Sequence, residues 1–379
     1  MSFSLYKKLY SRSGSSFTGP GGTALDTSLV NISDTLQARG YDVKEWGAVG
    51  NGLANDTTAV QNAINQAHTD GGGIVFLPQG TYLCDPLTGY RDVSIIGVGQ
   101  PRYATTDNAG SSRLLLNSSG TLLTISYTAG SFNNQAALYA GFELNGNGKA
   151  TSIGCDLENV YLGTWECVGF NNCTSIGLKM RNVEVTKFSQ CMFEGNVTGI
   201  DADSSGGAQS NLNEFDRCQF HGNTTYAVAL ANLSHLTFNG CNFDGNGTTG
   251  SSTTGCIKIS GANPNGEGVG LVVNQCWFEM NWGHSCIRVN TATNAQGFAA
   301  IVRDTLCTAA PGSGTKPTYG IYIEGGGGTT TTVYMDGCSI DTTGVTTPVL
   351  INGATGKLYQ GANSAAATNT SGTLINWQT

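Results

Sequence analysis

The sequence predicts an all-β solenoid in which short parallel strands stack coil upon coil. One segment occurs five times: a cysteine, a large apolar residue two positions later, and then at once an acid or a histidine. A recurrent period of this size indicates a solenoid, and the last spacing equals two coils. The chain is also rich in glycine, at 54 of 379 residues, yet 39% hydrophobic, which favours many short strands joined by turns. The segments begin at Cys191, Cys218, Cys241, Cys276 and Cys338, with spacings of 27, 23, 35 and 62 residues.

The N-terminal part of the chain predicts an arm, a strand, a helix and a further pair of strands. Residues 1–40 are rich in Ser and Gly with weak periodicity, so we interpret them as an N-terminal arm or attachment segment. Asp56 is a favourable N-cap for a helix over 57–68, which ends at the glycines 71–73. Its apolar residues fall on one helical face, and 74–83 is typical of strand, turn and strand. These apolar residues are Ala59, Val60, Ala63, Ile64 and Ala67.

Three motifs between residues 41 and 83 carry a family resemblance. The stretches Glu45–Gly52, Asn55–Ile64 and Gly71–Tyr82 resemble the opening of the pectate-lyase-like superfamily, and more narrowly that of bacteriophage tailspike polysaccharide depolymerases. The family pattern has Asp-Phe-Gly where this chain has Glu45, Trp46 and Gly47. The resemblance implies a right-handed, single-stranded parallel β-helix, an N-terminal capping α-helix, a homotrimer and a carbohydrate ligand. From residue 84 onward the resemblance depends on the repeat pattern.

The remaining sequence predicts one long solenoid. We assign 41–356 to the parallel β-helix and 357–379 to a last coil or C-terminal cap. Apolar and polar residues alternate in a second repeated strand that closes each coil, which is the pattern of a half-buried strand. Stacked coils are expected about 4.8 Å apart, the spacing between paired strands. The closing strands are 154–158, 177–181, 199–203, 257–260, 287–290, 321–324 and 349–352.

Composition excludes several classes of function. Charged residues make up 12% of the chain and the net charge is −8, so a nucleic-acid partner is not expected. No apolar run of 18 residues exists, so membrane insertion is not expected, and the N-terminus lacks the apolar core of a signal peptide. The twelve cysteines show no CxxC pair and no metal-like spacing, so we interpret them as buried free thiols of a protein made in a reducing cytosol. Neither a metal nor a cofactor is predicted.

Alignment of the coils on their cysteines places four chemically useful residues in one column. The cysteine and the apolar residue two positions later point inward, so the next residue points outward at a turn. We call Glu194, His221, Asp244 and Glu279 the acidic column. Glu194 and Asp244 lie two coils apart, about 9.6 Å, near the upper end of the range for inverting glycosidases. Asp244 and Glu279 lie one coil apart, about 4.8 Å, nearer the retaining spacing.

Other residues align beside the acidic column. Glu143, Asn171 and Asp341 extend it, and an asparagine column two residues further on is interpreted as a structural ladder. The alternative for the acidic column is a solvated line of polar turn residues. The asparagines are Asn145, Asn196, Asn223, Asn246 and Asn281.

The closing strands supply a second set of candidates. Asp201 and Asp203 precede a Gly/Ser-rich loop and form the next carboxylate pair. Lys258 and Arg288 could hold an acidic sugar; the alternative is a solvated face. The signs of charge alternate in the first coils, and we interpret Asp156, Lys179, Glu158 and Arg181 as a cross-strand salt-bridge ladder on the surface.

Two tryptophans are candidates for stacking on sugar rings. Trp277 is expected to point outward between the inward Cys276 and Phe278, and Trp282 follows one turn later. Exposed large aromatic residues on a polar wall indicate a binding surface. A trimer interface would explain both residues equally well.

The resemblance and the acidic column together predict a phage tailspike that depolymerises a bacterial surface polysaccharide, such as capsule, exopolysaccharide or O-antigen. Paired carboxylates would hydrolyse the glycosidic bond, with His221 orienting one of them. A polysaccharide lyase of the same fold and a non-catalytic receptor-binding fibre remain alternatives. The resemblance also implies a location in the virion tail and contact with other phage tail proteins through the arm at 1–40.

Overall fold

The computed structural model describes most of the chain from residue 40 onward. The chain divides into two units, Met1–Gly40 and Tyr41–Thr379, and the elements below belong to the second. The predicted arm at 1–40 therefore lies outside the described residues, except for Gly40. The described residues are 40–99, 110–127, 137–203, 210–231, 235–260, 269–290, 298–308, 317–324, 330–341, 345, 347–352, 356–361, 367–369 and 373–376.

A single helix precedes most of the solenoid in the described part of the chain. This helix, α1 (Thr57–Thr69), buries the predicted apolar face against the first strands. Asp56 is positioned at its N-terminus, but its side chain does not cap the helix. Its carboxylate instead accepts hydrogen bonds from the backbone N–H groups of Val49 and Gly50, at 2.7 and 3.0 Å. Asp56 is therefore the N-cap residue by position, as predicted, but its side chain makes no capping hydrogen bond, because the preceding Gly turn presents two donors to the same carboxylate.

The strands form three long parallel sheets, and most coils contribute one strand to each sheet. Sheet 1 contains β1 (Tyr41–Asp42), β3 (Gly73–Leu77), β6 (Val93–Gly97), β9 (Leu138–Ala140), β12 (Thr164–Glu166), β15 (Lys187–Ser189), β18 (Asn213–Asp216), β21 (Leu236–Asn239), β24 (Val269–Asn274), β27 (Phe298–Arg303), β30 (Thr331–Asp336), β33 (Gly356–Gln360) and β35 (Thr373–Asn376). Sheet 2 contains β2 (Asn51–Asn55), β4 (Gly80–Cys84), β7 (Ser112–Leu116), β10 (Glu143–Asn145), β13 (Gly169–Asn171), β16 (Met192–Glu194), β19 (Gln219–His221), β22 (Asn242–Asp244), β25 (Trp277–Glu279), β28 (Leu306–Cys307) and β31 (Ser339–Ile340). Sheet 3 contains β5 (Leu87–Thr88), β8 (Thr121–Ser126), β11 (Ile153–Tyr161), β14 (Ile176–Glu184), β17 (Thr198–Asp203), β20 (Tyr226–Ala231), β23 (Gly255–Ser260), β26 (Ser285–Asn290), β29 (Tyr319–Glu324), β32 (Thr347–Asn352) and β34 (Ala367–Asn369).

This arrangement confirms the predicted parallel β-helix with an N-terminal helix. The closing strands form sheet 3 in the predicted register: Asp156 pairs with Lys179, and Lys258 pairs with Arg288. The 62-residue spacing does contain one additional coil, since β28 lies between β25 and β31. The segment predicted as the last coil contains β33, β34 and β35.

The core of the solenoid includes ladders of identical side chains. Phenylalanines of sheet 2 stack with nearly parallel rings, with centroids 4.9, 4.8, 4.6 and 4.5 Å apart on successive coils. The repeated cysteines are buried, as predicted, and all twelve cysteines are free. These ladders fix the register, and with it the position of every outward side chain. The stacked phenylalanines are Phe170, Phe193, Phe220, Phe243 and Phe278.

Candidate active site

The acidic column lies on the outer face of sheet 2, at the ends of four consecutive strands. Register places Glu194, His221, Asp244 and Glu279 opposite one another from β16 to β25. The phenylalanine before each is buried in the core, and the alternation of a strand turns the following side chain to the other face. The sequence prediction of these four neighbours is therefore confirmed as geometry, while their catalytic role stays a prediction.

The predicted alignment of the acidic column is wrong for the coil at residues 142–145. Leu144, not Phe142, continues the phenylalanine ladder, since it pairs with Phe170. Asn145 therefore lies in line with Asn171 and the acidic column, and Glu143 lies two residues earlier on the same strand. Both Phe142 and Leu144 are buried, so the two phases could not be distinguished by hydrophobicity.

Tight turns follow three of the column residues. Gly195, Gly222 and Gly245 have φ of 65°, 62° and 65°, a left-handed conformation that glycine adopts without steric cost. The chain then turns inward to the asparagine ladder, in which each carboxamide binds the next coil. The ladder consists of Asn196, Asn223, Asn246 and Asn281, with side chain to side chain distances of 3.0, 2.8 and 3.1 Å.

This ladder confirms the structural interpretation of four of the five asparagines. Asn145 is the exception, because its amide donates to Glu143 at 2.8 Å rather than to the ladder. Each ladder residue lies two positions after a column residue, so the ladder holds the column strands at a fixed spacing.

The electrostatic centre of the column is a histidine flanked by two carboxylates. Glu194 and Asp244 are 7% and 9% exposed, although they lie on an outward face. His221 lies between them, one strand from each, and its Nδ1 is 3.1 Å from Oδ2 of Asp244. The side chain of His221 is 26% exposed, so the imidazole reaches solvent. Two shielded carboxylates and a titratable ring within three coils are able to transfer protons to a bound substrate.

Ring stacking gives the axial spacing of the carboxylates. The coils carrying Glu194, His221 and Asp244 are separated by 4.8 and 4.6 Å at the core phenylalanines. Glu194 and Asp244 are therefore about 9–10 Å apart at the backbone, and Asp244 and Glu279 about 5 Å apart. The first distance lies near the upper end of the range for inverting glycosidases, with the strand of His221 between the two carboxylates.

The two predicted aromatic residues occupy different positions beside the column. Trp277 begins β25 and is exposed, and its Nε1 donates to Oγ1 of Thr308 at 3.2 Å. Trp282 is half-buried; a methyl group at Gly245 would lie 3.7 Å from both its Cζ3 and Cε1 of His221. The structure therefore brings Trp282 next to the acidic column, while Trp277 lies on the same strand as Glu279.

The remaining sequence candidates lie on sheet 3. Asp201 pairs with Ala229, and Asp203 pairs with Ala231, although the side chain of Asp203 lies outside the described residues. The Lys258 ammonium lies 5.2 Å from the Tyr226 ring centroid. These three candidates lie on sheet 3, as predicted from the closing strands, and not on the sheet of the acidic column.

Arg288 already has partners on its own sheet. Its guanidinium lies 5.6 Å from the ring centroid of Tyr322, and Nη2 donates to Glu324 at 3.0 Å. Burial, followed by the charge of Arg288, lowers the pKa of nearby His284. This cluster therefore resembles a packed surface network, and binding of an acidic sugar at Arg288 stays a prediction.

Sequence reasoning missed a charged pair beside the column. Arg113 of β7 forms an ion pair with Glu143 of β10, and the two residues are paired in register. Glu143 is buried and also accepts hydrogen bonds from Asn145 and Asn171, at 2.8 and 3.0 Å. The only sequence signal was the acid Glu143, which was assigned to the wrong phase.

Arg113 opens onto a cleft of about 590 Å³. Its lining residues belong to β7, to β10 and to the turns that follow β10, β13 and β16, the last of which begins at Gly195, directly after Glu194. We call it the Arg113 cleft. Its lining includes Arg113, Asn145, Asn147, Gly148, Asn172 and Gly195.

The described residues contain neither a metal-binding cluster nor a membrane-spanning helix. No group of three or more His, Cys, Asp or Glu side chains there is arranged to hold a metal ion. The same part of the chain has no helix with the length and apolar character to span a bilayer. Burial raises the pKa of thiols such as Cys155 and Cys218, so these cysteines are packing residues rather than nucleophiles.

Comparison with known families identifies the fold family. The family model described as rhamnogalacturonase A/epimerase, pectate lyase-like, matches residues 41–298, more than half of the chain. The chain belongs to this family. The predicted pectate-lyase-like resemblance is confirmed, and the match extends well beyond the motifs at 41–83.

Relatives of this pectate lyase-like protein include a phage depolymerase and several alginate-modifying enzymes. Depolymerase 1, capsule KN3-specific, of Klebsiella phage KN3-1 is 27% identical over 303 residues, covering 72% of this chain and 36% of the relative. Mannuronan C5-epimerase AlgE1 of Azotobacter vinelandii is 45% identical over 67 residues, 16% of this chain and 5% of the epimerase. The chain thus spans about a third of the phage depolymerase and a small part of the epimerase.

Solved structures confirm that phage tailspikes share this fold. The ORF18 protein of Geobacillus virus E2 has a TM-score of 0.63 and 18% identity, over 91% of this chain and 64% of that chain. Tailspike protein 2 of Escherichia coli O157:H7 bacteriophage CAB120 has a TM-score of 0.64 and 13% identity, over 85% and 42%. The catalytic unit of a GH87 α-1,3-glucanase from Streptomyces thermodiastaticus has a TM-score of 0.55 and 14% identity, over 89% and 68%.

Proposed function

We propose that this chain is the polysaccharide-depolymerising part of a phage tailspike and that it hydrolyses a bacterial surface polysaccharide at the acidic column. The observation that carries the proposal is the pair of shielded carboxylates, Glu194 and Asp244, on an outward face with His221 between them. Idle carboxylates would be expected to be solvated, since their burial is costly. The capsule-specific name of the Klebsiella phage relative supports this substrate class.

The spacing supports an inverting hydrolysis. Glu194 would donate a proton to the leaving glycosidic oxygen. Asp244 would accept a proton from water on the opposite face of the sugar, since the two carboxylates are about 9–10 Å apart. A proton on Nδ1 of His221 would donate to Asp244 over 3.1 Å and hold its carboxylate in place. Trp282 would contact the sugar ring on the side of the column bordered by Gly245.

Reducing-end release from a panel of polysaccharides tests this proposal. The panel contains Klebsiella capsular polysaccharides, alginate, polygalacturonate and α-1,3-glucan. Glu194→Gln and Asp244→Asn should each lower kcat about 10²- to 10⁴-fold, the usual contribution of a general acid or base. Glu166→Gln, an exposed change on sheet 1, is the matched control and should keep full activity.

Full activity in both column variants would place the site elsewhere, with Asp201 and Asp203 next to be changed. Binding of a polysaccharide without shortening of any polymer would instead favour the non-catalytic fibre.

A polysaccharide lyase is the second candidate function, and one observation favours it. His221 is held by Asp244 through Nδ1, which is the arrangement of an oriented general base. A lyase would release an unsaturated uronate that absorbs ultraviolet light, whereas a hydrolase would release reducing ends without that absorbance. His221→Asn would abolish activity in a lyase and reduce it in a hydrolase.

We further propose that the chain works as a homotrimer in the virion tail and attaches to other tail proteins through residues 1–40. The family resemblance and the tailspike folds support this assembly. Light scattering of the full chain tests it. A mass three times that of the 39.4 kDa chain is expected, and a monomer at working concentration would contradict it.

A further inference from the structure

We propose that the Arg113 cleft is a subsite, separate from the acidic column, that binds a carboxylate-bearing sugar residue of the substrate polymer. This inference deepens the proposed function and depends on it for its biological meaning. The cleft volume of about 590 Å³ lies within the usual range of small-ligand sites.

The Arg113 guanidinium is held in place from one side. Its Nε donates to Oε2 of Glu143, whose carboxylate is 3% exposed. Glu143 also accepts from the amides of Asn145 and Asn171. Three donors thus bind this buried carboxylate, so it fixes the arginine and is shielded from solvent.

The other end of the guanidinium is available. Among the residues that the structure describes, Nη1 and Nη2 of Arg113 have no hydrogen-bond partner, and the side chain is 20% exposed where it lines the cleft. A planar pair of N–H donors matches a carboxylate in a two-point geometry that an ammonium group cannot reproduce. The exposed amide of Asn172, which also lines the cleft, adds hydrogen-bonding groups suited to sugar hydroxyls.

The distance of Arg113 from the acidic column explains why an acidic sugar residue would bind at Arg113. Arg113 pairs with Glu143, which pairs with Gly169 and then Met192, so it lies three coils from the strand of Glu194, about 14 Å along the axis. The acidic column itself would repel an acidic sugar. A polymer that alternates acidic and neutral residues can therefore place its carboxylate at Arg113 and a neutral residue at the column.

Ligand-observed NMR with monosaccharides tests the subsite independently of any cleavage. The probes are glucuronate and galacturonate, with methyl glucoside as the neutral comparison. Two variants alter the cleft. Arg113→Lys keeps a charge opposite Glu143 but removes the planar fork. Gly148→Asn fills the cleft, since a Cβ there meets nothing within 4 Å and its φ of 61° is one that asparagine tolerates.

Gly250→Asn is the matched control, because Gly250 also has open space and a φ of 73° but does not line the cleft. We expect at least a tenfold loss of uronate affinity in both cleft variants, as for a lost hydrogen bond to a charged group, and none in the control. Uronate binding equal to the wild type in Gly148→Asn would overturn the proposal. Equal binding of methyl glucoside and uronate, or no binding of uronate by the wild type, would also overturn it.

Failure of the proposed function remains distinguishable from failure of this subsite. Binding of uronate through Arg113 without cleavage of any polymer would support the subsite proposal and contradict the depolymerase assignment. Normal polymer cleavage by the Gly148→Asn variant would contradict the subsite proposal and leave the depolymerase assignment intact.

Discussion

Replacement of Asn223 by alanine should destabilise the solenoid far more than an ordinary surface change. Asn223 is fully buried in the asparagine ladder. Its Nδ2 donates to Phe193 O at 3.0 Å and to Asn246 Oδ1 at 2.8 Å. Its Oδ1 accepts from the backbone N–H and the amide of Asn196, at 3.2 and 3.0 Å.

The magnitude follows from the four hydrogen bonds that alanine cannot make. At about 1 kcal/mol net for each bond, and with the Asn196 N–H left buried without its acceptor, the loss is about 3–5 kcal/mol. Such a value is exceptional for a single substitution and is a large part of the stability of an average domain. Asn223 lies two positions after His221, so the residues of the acidic column should also become less well ordered. Activity should therefore be lost at temperatures well below the melting temperature of the variant.

Urea unfolding followed by circular dichroism measures this loss, and activity is measured on the same samples. Asn62→Ala is the matched control, since Asn62 is exposed on α1 and alanine favours a helix; it should leave stability equal or slightly higher. A loss below about 1 kcal/mol for Asn223→Ala would refute the reasoning, because it would mean that water replaces the carboxamide inside the wall.

Three further predictions concern binding, thiols and pH. Trp282→Ala should raise KM up to about tenfold with little change in kcat, since an aromatic contact contributes about 1 kcal/mol; unchanged kinetics would remove Trp282 from the site next to His221. Iodoacetamide should label Cys167 first in the native protein, and slowly, because Cys167 is only partly buried and burial raises its pKa; mass spectrometry showing several labelled thiols at once would contradict this. Burial and the bond to Asp70 raise the pKa of Tyr41 to about 12, so its stabilising contribution is complete below its ordinary pKa of about 10 and is lost as the pH rises to about 12. The melting temperature of Tyr41→Phe should therefore fall less steeply over this range, and identical slopes would show that Tyr41 does not contribute.

The sequence was sufficient to predict the fold and the line of the acidic column, for a physical reason. A solenoid repeats one inward position on every coil, so Cys191 and Phe193 define a register that His221 and its neighbours must follow. Where the repeat weakens, the inference fails. The coil at 142–145 lacks the cysteine and offers two apolar residues, and the phase was assigned to the wrong one.

The ion pair between Arg113 and Glu143 could not be predicted from the sequence, for a different reason. Arg113 and Glu143 are 30 residues apart and meet only because their strands pair. The strand that carries Arg113, β7, lies outside the cysteine repeat, so no sequence pattern indicates its register. Asp56 shows the same limit, since its carboxylate binds a turn rather than the helix that follows it.

The chemistry of the acidic column follows from a contrast between neighbouring columns. The inward columns repeat one residue type on successive coils, phenylalanine in one ladder and asparagine in the next, because stacked identical groups pack and pair best. The column between them has no such uniformity: it changes from Asn171 to Glu194, His221, Asp244 and Glu279. Stacking alone would favour a repeated amide at these positions too, and it would not place two shielded carboxylates around an imidazole. This departure from uniformity, in a sheet-2 column flanked by the phenylalanine and asparagine ladders, is therefore the strongest physical reason to look for catalysis there.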